Sequence, residues 1–175
     1  MKRMIVVLTV AAALLTGCSP ERIQDRAYLR AAAVDPGQVT FEFFEGDPLT
    51  VPAETLDGAL RSAEFILGRR IFTGYTELIV LGELPAEEIL GEMLTGWRVS
   101  PECMVVGSTG SAGEVLTEAT GRLLEGSAKL AAERGEAPES RMISVLSQLL
   151  SENDTAELPL VGTNGVCGKI KICGD

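Results

Sequence analysis

The first residue with a chemical task is a thiol. Cys18 closes the stretch Leu15-Thr16-Gly17-Cys18, after an apolar run from Met4 to Leu15 broken only by Thr9. Lys2 and Arg3 precede that run, and no acidic residue stands before Cys18. A positive start, a short apolar stretch and small residues ahead of a cysteine form a lipobox-like ending to an export signal. Thr16 and Gly17 are small enough for a signal peptidase, and the Cys18 sulfur would accept a diacylglycerol. Two acyl chains matter, because one chain holds a protein to a bilayer only marginally and reversibly. The run is too short to cross a hydrocarbon layer ~30 Å thick, which takes ~20 helical residues. Residues 1–17 therefore read as a lipoprotein signal peptide, 18–26 as a lipid-proximal linker and 27–175 as a single domain.

Other chemistries are thinly supplied. The chain has no histidine, which removes Ser-His-Asp and Cys-His arrangements and any imidazole ligand or base. Lys129, Lys169 and Lys171 are the only lysines after the signal, and none lies in a pattern that suggests catalysis. The stretch Val105-Val106-Gly107-Ser108-Thr109-Gly110-Ser111-Ala112-Gly113 has the GxxGxxG form of a dinucleotide-binding turn. Such glycines bring the backbone close to a pyrophosphate at a helix N-terminus. Its context differs, since two strand–helix steps precede it and no acidic residue ends a following strand. A glycine-eased strand-to-helix turn is the plainer reading.

Glu83, Glu87, Glu88 and Glu92 cluster in sequence, but Glu88 and Glu92 at i, i+4 make a solvated helix stripe. Trp97 and Tyr75 read as core or rim packing. With Cys18 acylated, Cys103, Cys167 and Cys173 remain, an odd number that gives no disulfide framework. They read as buried free thiols, with one bridge from Cys103 to a C-terminal cysteine as the alternative. No catalytic, cofactor or metal site is expected from these residues.

Composition bounds the partners. The net charge is -10, and removing Lys2 and Arg3 makes it -12. Phosphate contacts need Lys and Arg, so this balance argues against nucleic acid or anionic lipid as a partner. The hydrophobic fraction of 46% is ample for one core, and no second apolar stretch is long enough to span a membrane.

The elements that would position these residues alternate. Ala27 to Val34 and Gln38 to Glu45 are strand-like runs joined by Asp35-Pro36-Gly37, where proline presets φ and glycine accepts φ > 0. Val39, Phe41 and Phe43 alternate with Gln38, Thr40 and Glu42 as a half-buried strand should. Gly46 to Ala53, with Pro48 and Pro52, reads as a loop. Thr55 is placed to cap a helix with apolar positions Leu56, Ala59, Leu60, Ala63, Ile66 and Leu67, stopped by Gly68. A strand over Glu77 to Leu81, a helix over Ala86 to Thr95 and a strand over Glu102 to Gly107 follow. A helix starts near Ala112 and is expected to break or fray beyond Gly121. A loop over Gly135 to Ser140, a helix over Arg141 to Leu150, and short strands at Leu158 to Val161 and Lys169 to Ile172 complete the chain. The fold class is α/β (α+β): a mixed sheet with an N-terminal hairpin, a β-α-β-α-β core and helices packed on the sheet.

The order of these features resembles the N-terminal domain of the Ger(x)C family, the lipoprotein C subunits of spore germinant receptors. In that family a "T/S-L-x-x-A-L" helix leads into "G-R-x-x-F/Y-x-G-H", an apolar strand ending "G-E", and a small-residue turn into "E-I-L". Here the counterparts are Thr55-Leu56-Asp57-Gly58-Ala59-Leu60, Gly68-Arg69-Arg70-Ile71-Phe72-Thr73-Gly74-Tyr75, Leu78-Ile79-Val80-Leu81-Gly82-Glu83 and Gly113-Glu114-Val115-Leu116. The helix before Glu157-Leu158-Pro159-Leu160 is similar to the family's approach to its "L-P" segment. Tyr75 stands where the family has histidine, and family members carry two further domains beyond this one. The resemblance implies a non-enzymatic lipoprotein, held on the outer face of the spore inner membrane beside polytopic A and B subunits. It implies no cofactor and a role in nutrient-triggered germination, with a minimal one-domain homologue, a truncated product and an expressed fragment as the expectations for a sequence that stops at Asp175. The rival readings are a solute-binding lipoprotein of a transporter and an exported nucleotide-binding enzyme using the Gly107-Gly110-Gly113 turn.

Overall fold

A computed structural model describes residues 25–174. The signal segment and Cys18 lie outside the described residues. Among the described residues, eight strands form one mixed sheet and five helices cover its two faces. The strands are β1 (Ala27–Asp35), β2 (Gln38–Phe43), β3 (Leu49–Pro52), β4 (Ile71–Phe72), β5 (Leu78–Leu81), β6 (Met104–Ser108), β7 (Thr155–Gly162) and β8 (Gly165–Cys173). The helices are α1 (Leu56–Leu67), α2 (Ala86–Thr95), α3 (Ala112–Ala119), α4 (Gly121–Glu133) and α5 (Met142–Leu149).

The sheet runs β3-β2-β1-β5-β6-β7-β8, with β4 paired to β1 off that path. β1, β5, β6 and β7 are parallel neighbours, while the β1–β2, β2–β3 and β7–β8 pairs are antiparallel. This is the expected mixed sheet with its N-terminal hairpin and alternating core. The central strands are buried on both faces, and β5 reads Leu78-Ile79-Val80-Leu81 with all four residues buried. Strands covered on both sides are apolar throughout rather than alternating.

One face carries α1, α2 and α5 over Leu29, Ala32, Val34, Ile79, Leu81 and Val105. The other carries α3 and α4 over Ala31, Ala33, Leu78, Val80 and Val106. The alternation slips within β1, where the register shifts between Leu29 and Ala31. A bulge re-aims side chains locally; here Arg30 and Ala31 both turn towards α3 and α4, with Arg30 3.9 Å from Glu42.

Helix ends follow local chemistry. The Thr55 hydroxyl accepts the Gly58 N–H at 3.1 Å, and Gly68 closes α1 at φ 65°. An N-cap hydroxyl satisfies one of the orphan amides of the first turn, and the left-handed C-cap needs a residue without Cβ.

Several expectations are corrected. Gly46 to Ala53 contains β3, an edge strand paired to β2; Pro48 lies just before it and Pro52 at its end, positions that an edge tolerates. Ile71–Phe72 forms β4, a two-residue strand beside β1 that is too short to leave a periodic pattern. Thr40 and Glu42 are buried rather than solvent-facing, because α3 and α4 cover the second face of the hairpin. Ile66, expected on the inner face of α1, is 60% exposed. The helical stretch breaks once, at Thr120 with φ 62°, and then continues through Gly126 to Glu133.

Candidate functional site

The Gly107–Gly113 turn joins β6 to α3 as a strand-to-helix connection. Two of its glycines are required by packing. A Cβ on Gly107 would stand 2.7 Å from Ile170, and one on Gly113 would stand 2.5 Å from the Thr40 hydroxyl. Gly110 meets nothing.

The start of α3 is already filled by the chain itself. The Asp35 carboxylate, at the end of β1, accepts the Ala112 N–H at 2.8 Å, the Gly113 N–H at 2.9 Å and the Ser111 hydroxyl at 2.9 Å. Free amides at a helix N-terminus bind anions, and Asp35 takes the place a pyrophosphate would need. An incoming phosphate would meet a resident negative charge. The geometry therefore favours the plain turn over a dinucleotide site.

Glu42 does the same for α4. Its carboxylate accepts the Gly121 N–H, beside the Arg30 guanidinium, which also lies 3.6 Å from Glu77. Burial pushes the Glu42 carboxyl above its ordinary range; the Gly121 N–H and Arg30 pull it back, and Glu77 adds a smaller push upward. The hairpin thus sends one carboxylate to each of the two helices that cover it. Neither contact left a local signal in the sequence, since the partners lie more than seventy residues apart.

Two grooves flank the sheet. One, of about 510 Å³, lies where β1, β5 and β6 end, between Asp35, Gly82 and the Ser108–Ser111 turn. The larger, of about 630 Å³, lies where β5 and β6 begin, against α4. Glu77, Glu102, Glu125, Glu133 and Glu139 line it together with Lys129 and Arg141. Both cations are engaged: Arg141 pairs with Glu102 at 2.6 Å and Glu139 at 2.7 Å, and Lys129 pairs with Glu125. The Glu139 and Glu102 carboxylates raise the Arg141 pKa further. An acidic groove with engaged cations suits a cationic or hydrogen-bonding contact better than an anion.

Sequence-flagged residues separate into distinct settings. Glu83 and Glu88 are exposed, while Glu87 and Glu92 are half-buried along α2. Trp97 is buried and stacks on Phe41 at 5.6 Å. Tyr75 is 63% exposed and rests on Tyr28 and Phe72. Cys103 is a buried free thiol whose pKa burial drives upward. Cys167 and Cys173 are also free but exposed, which corrects the expectation that all three are buried and removes the Cys103 bridge. Among the described residues no cluster of His, Cys, Asp and Glu is arranged to hold a metal ion, and no helix is long and apolar enough to cross a membrane.

Comparison with known families decides the relationship. The family described as spore germination protein N-terminal domain matches residues 19–163. The chain belongs to that family. No curated protein and no solved structure matches it. The germination-domain match spans the sheet from β1 into the end of β7, including both helix-capping carboxylates and the acidic groove.

Proposed function

We propose that this germination-family protein is a membrane-anchored, non-enzymatic lipoprotein acting as a germinant-receptor C-subunit-like component in nutrient-triggered germination. The observation that carries the reading is the family match, which starts at Ser19, directly after the candidate acylated cysteine. Signal peptidase would remove residues 1–17, and a diacylglycerol on Cys18 would hold the α/β domain on the outer face of the spore inner membrane. Polytopic A and B receptor subunits are its expected partners. The capping carboxylates support a structural role, since half-buried Asp35 and buried Glu42 are committed to helix ends.

The test is affinity capture of the tagged full-length protein from detergent-solubilised spore membranes of its host, read by mass spectrometry. Recovery of polytopic A and B subunits supports the receptor role. Their absence, with bait intact and lipidated, overturns it in favour of a solute-binding lipoprotein.

A further inference from the structure

Helix α1 presents an aromatic side chain that its packing does not explain. At ~100° per residue, Phe65 lies about 180° around the helix from Leu56, opposite the face that enters the core. Phe65 is 90% exposed and its neighbour Ile66 is 60% exposed. Both sit in the last turns before Gly68, beside Arg69 and Arg70.

The place on the molecule gives this patch its meaning. The Ala27 N–H donates to the Arg70 carbonyl at 2.8 Å, and Ala27 pairs with Ile71 in the first step of β1. The described chain therefore starts alongside the C-terminal end of α1. On the other side of that point stands the Tyr28–Phe72–Tyr75 cluster, with ring centroids 5.0–6.0 Å apart and Tyr75 exposed. Phe65 stands beside Arg69 and Arg70, the latter paired with Glu64 at 3.0 Å, and Tyr75 edges the acidic groove; exposed rings with mixed charges around them match the headgroup level of a zwitterionic bilayer, where amphipathic side chains settle.

The tether limits the orientation. Nine residues from Cys18 to Ala27 reach at most about 30 Å when fully extended. A domain of this size is roughly 40 Å across, from its expected radius of gyration. The opposite pole thus cannot be laid on the surface, while the end holding Ala27 stays within reach of it at an effective concentration on the order of millimolar, so that weak contacts there suffice to hold it.

We propose that this end of the domain, through Phe65 and Ile66 on one side of Ala27 and Tyr75 on the other, docks on the bilayer that carries the anchor. The inference rests on the anchor proposed at Cys18. The domain then has one face turned to lipid, and its far end, where Leu150 projects, is held away from the membrane.

The experiment uses the full chain purified from its host's membranes and placed in vesicles of phosphatidylcholine, part of it brominated. Phe65→Trp and Leu150→Trp are compared, with the emission of buried Trp97 in the parent as baseline. Both positions are exposed, Leu150 at 69%, so neither change disturbs the core. Docking predicts that the added Phe65→Trp emission falls at least two-fold on bromolipid while that of Leu150→Trp is unchanged. Protein that sediments with the vesicles but shows no quenching at position 65 overturns the docking and leaves the anchor standing. Protein that fails to sediment, with Cys18 found unacylated by mass spectrometry, overturns the anchor and the docking with it.

Discussion

Replacing Asp35 with alanine should destabilise the domain measurably, through α3. The carboxylate satisfies the buried amides of Ala112 and Gly113 and holds the Ser111 hydroxyl. A buried amide left without an acceptor costs ~1–3 kcal/mol. Losing an anion at a helix N-terminus removes a further ~0.3–1 kcal/mol. Asp35 is half-buried beside the smaller groove, so water can partly replace it, which favours the low end at about 2–3 kcal/mol. For a chain of this length that shifts Tm downward by roughly 5–10 °C. Asp35→Asn keeps one acceptor oxygen and should lose about half as much. Thermal unfolding followed by circular dichroism reads the difference. Inorganic phosphate supplies a second test: in Asp35→Ala the vacated amides should accept the anion and recover part of the lost Tm, while the parent does not respond. A Tm for Asp35→Ala within 1 °C of the parent, or equal phosphate responses, would refute the reasoning.

Three further outcomes follow from other contacts. Glu42 has its carboxyl raised above its ordinary value by burial, so the folded state binds its proton more tightly than the unfolded chain. Its ionisation therefore costs stability as pH rises through the raised pKa and costs nothing below the unfolded value; Glu42→Gln, whose carbonyl can still accept from Gly121, should gain on the parent as pH rises through that window in urea titrations. Gly126 has open space around it, so Gly126→Ala should stabilise α4 by about 0.5–1 kcal/mol. Gly121→Ala should instead lose about 1–3 kcal/mol, because a Cβ there would lie 2.7 Å from Ala31; paired denaturation curves check the opposite signs. A thiol reagent should titrate Cys167 and Cys173 in the native protein and add Cys103 only on unfolding, with a fourth thiol appearing if Cys18 is unacylated.

What the sequence makes legible is what short-range chemistry writes. α2 is bounded as its periodicity implies, and Thr55 and Gly68 mark the ends of α1 because capping acts within a turn. β3 is hidden because prolines normally argue against a strand, and only its place at the sheet edge makes Pro52 tolerable. Asp35 and Glu42 read as turn and surface residues. Their partners, Ala112 and Gly121, become neighbours only when the helices fold over the hairpin. The Gly107–Gly113 motif is visible, but its meaning depends on Asp35 arriving from a strand far upstream. Ile66 and Phe65 show the converse limit: periodicity counts apolar residues without saying which of them the core has room for.

The two ends of the sheet have a consequence for how copies of this protein meet. β3 and β8 are its outermost strands, each with one side unpaired within the sheet. β3 is four residues long, preceded by Pro48 and ending at Pro52, so its backbone is short of N–H groups to lend a newcomer. β8 is longer and instead carries exposed Lys169 and Lys171, which would confront the same charges on an incoming identical strand. Strand-to-strand polymerisation is opposed at one margin by missing donors and at the other by like charge. Crowding many copies into a small area should therefore raise their density without seeding fibres.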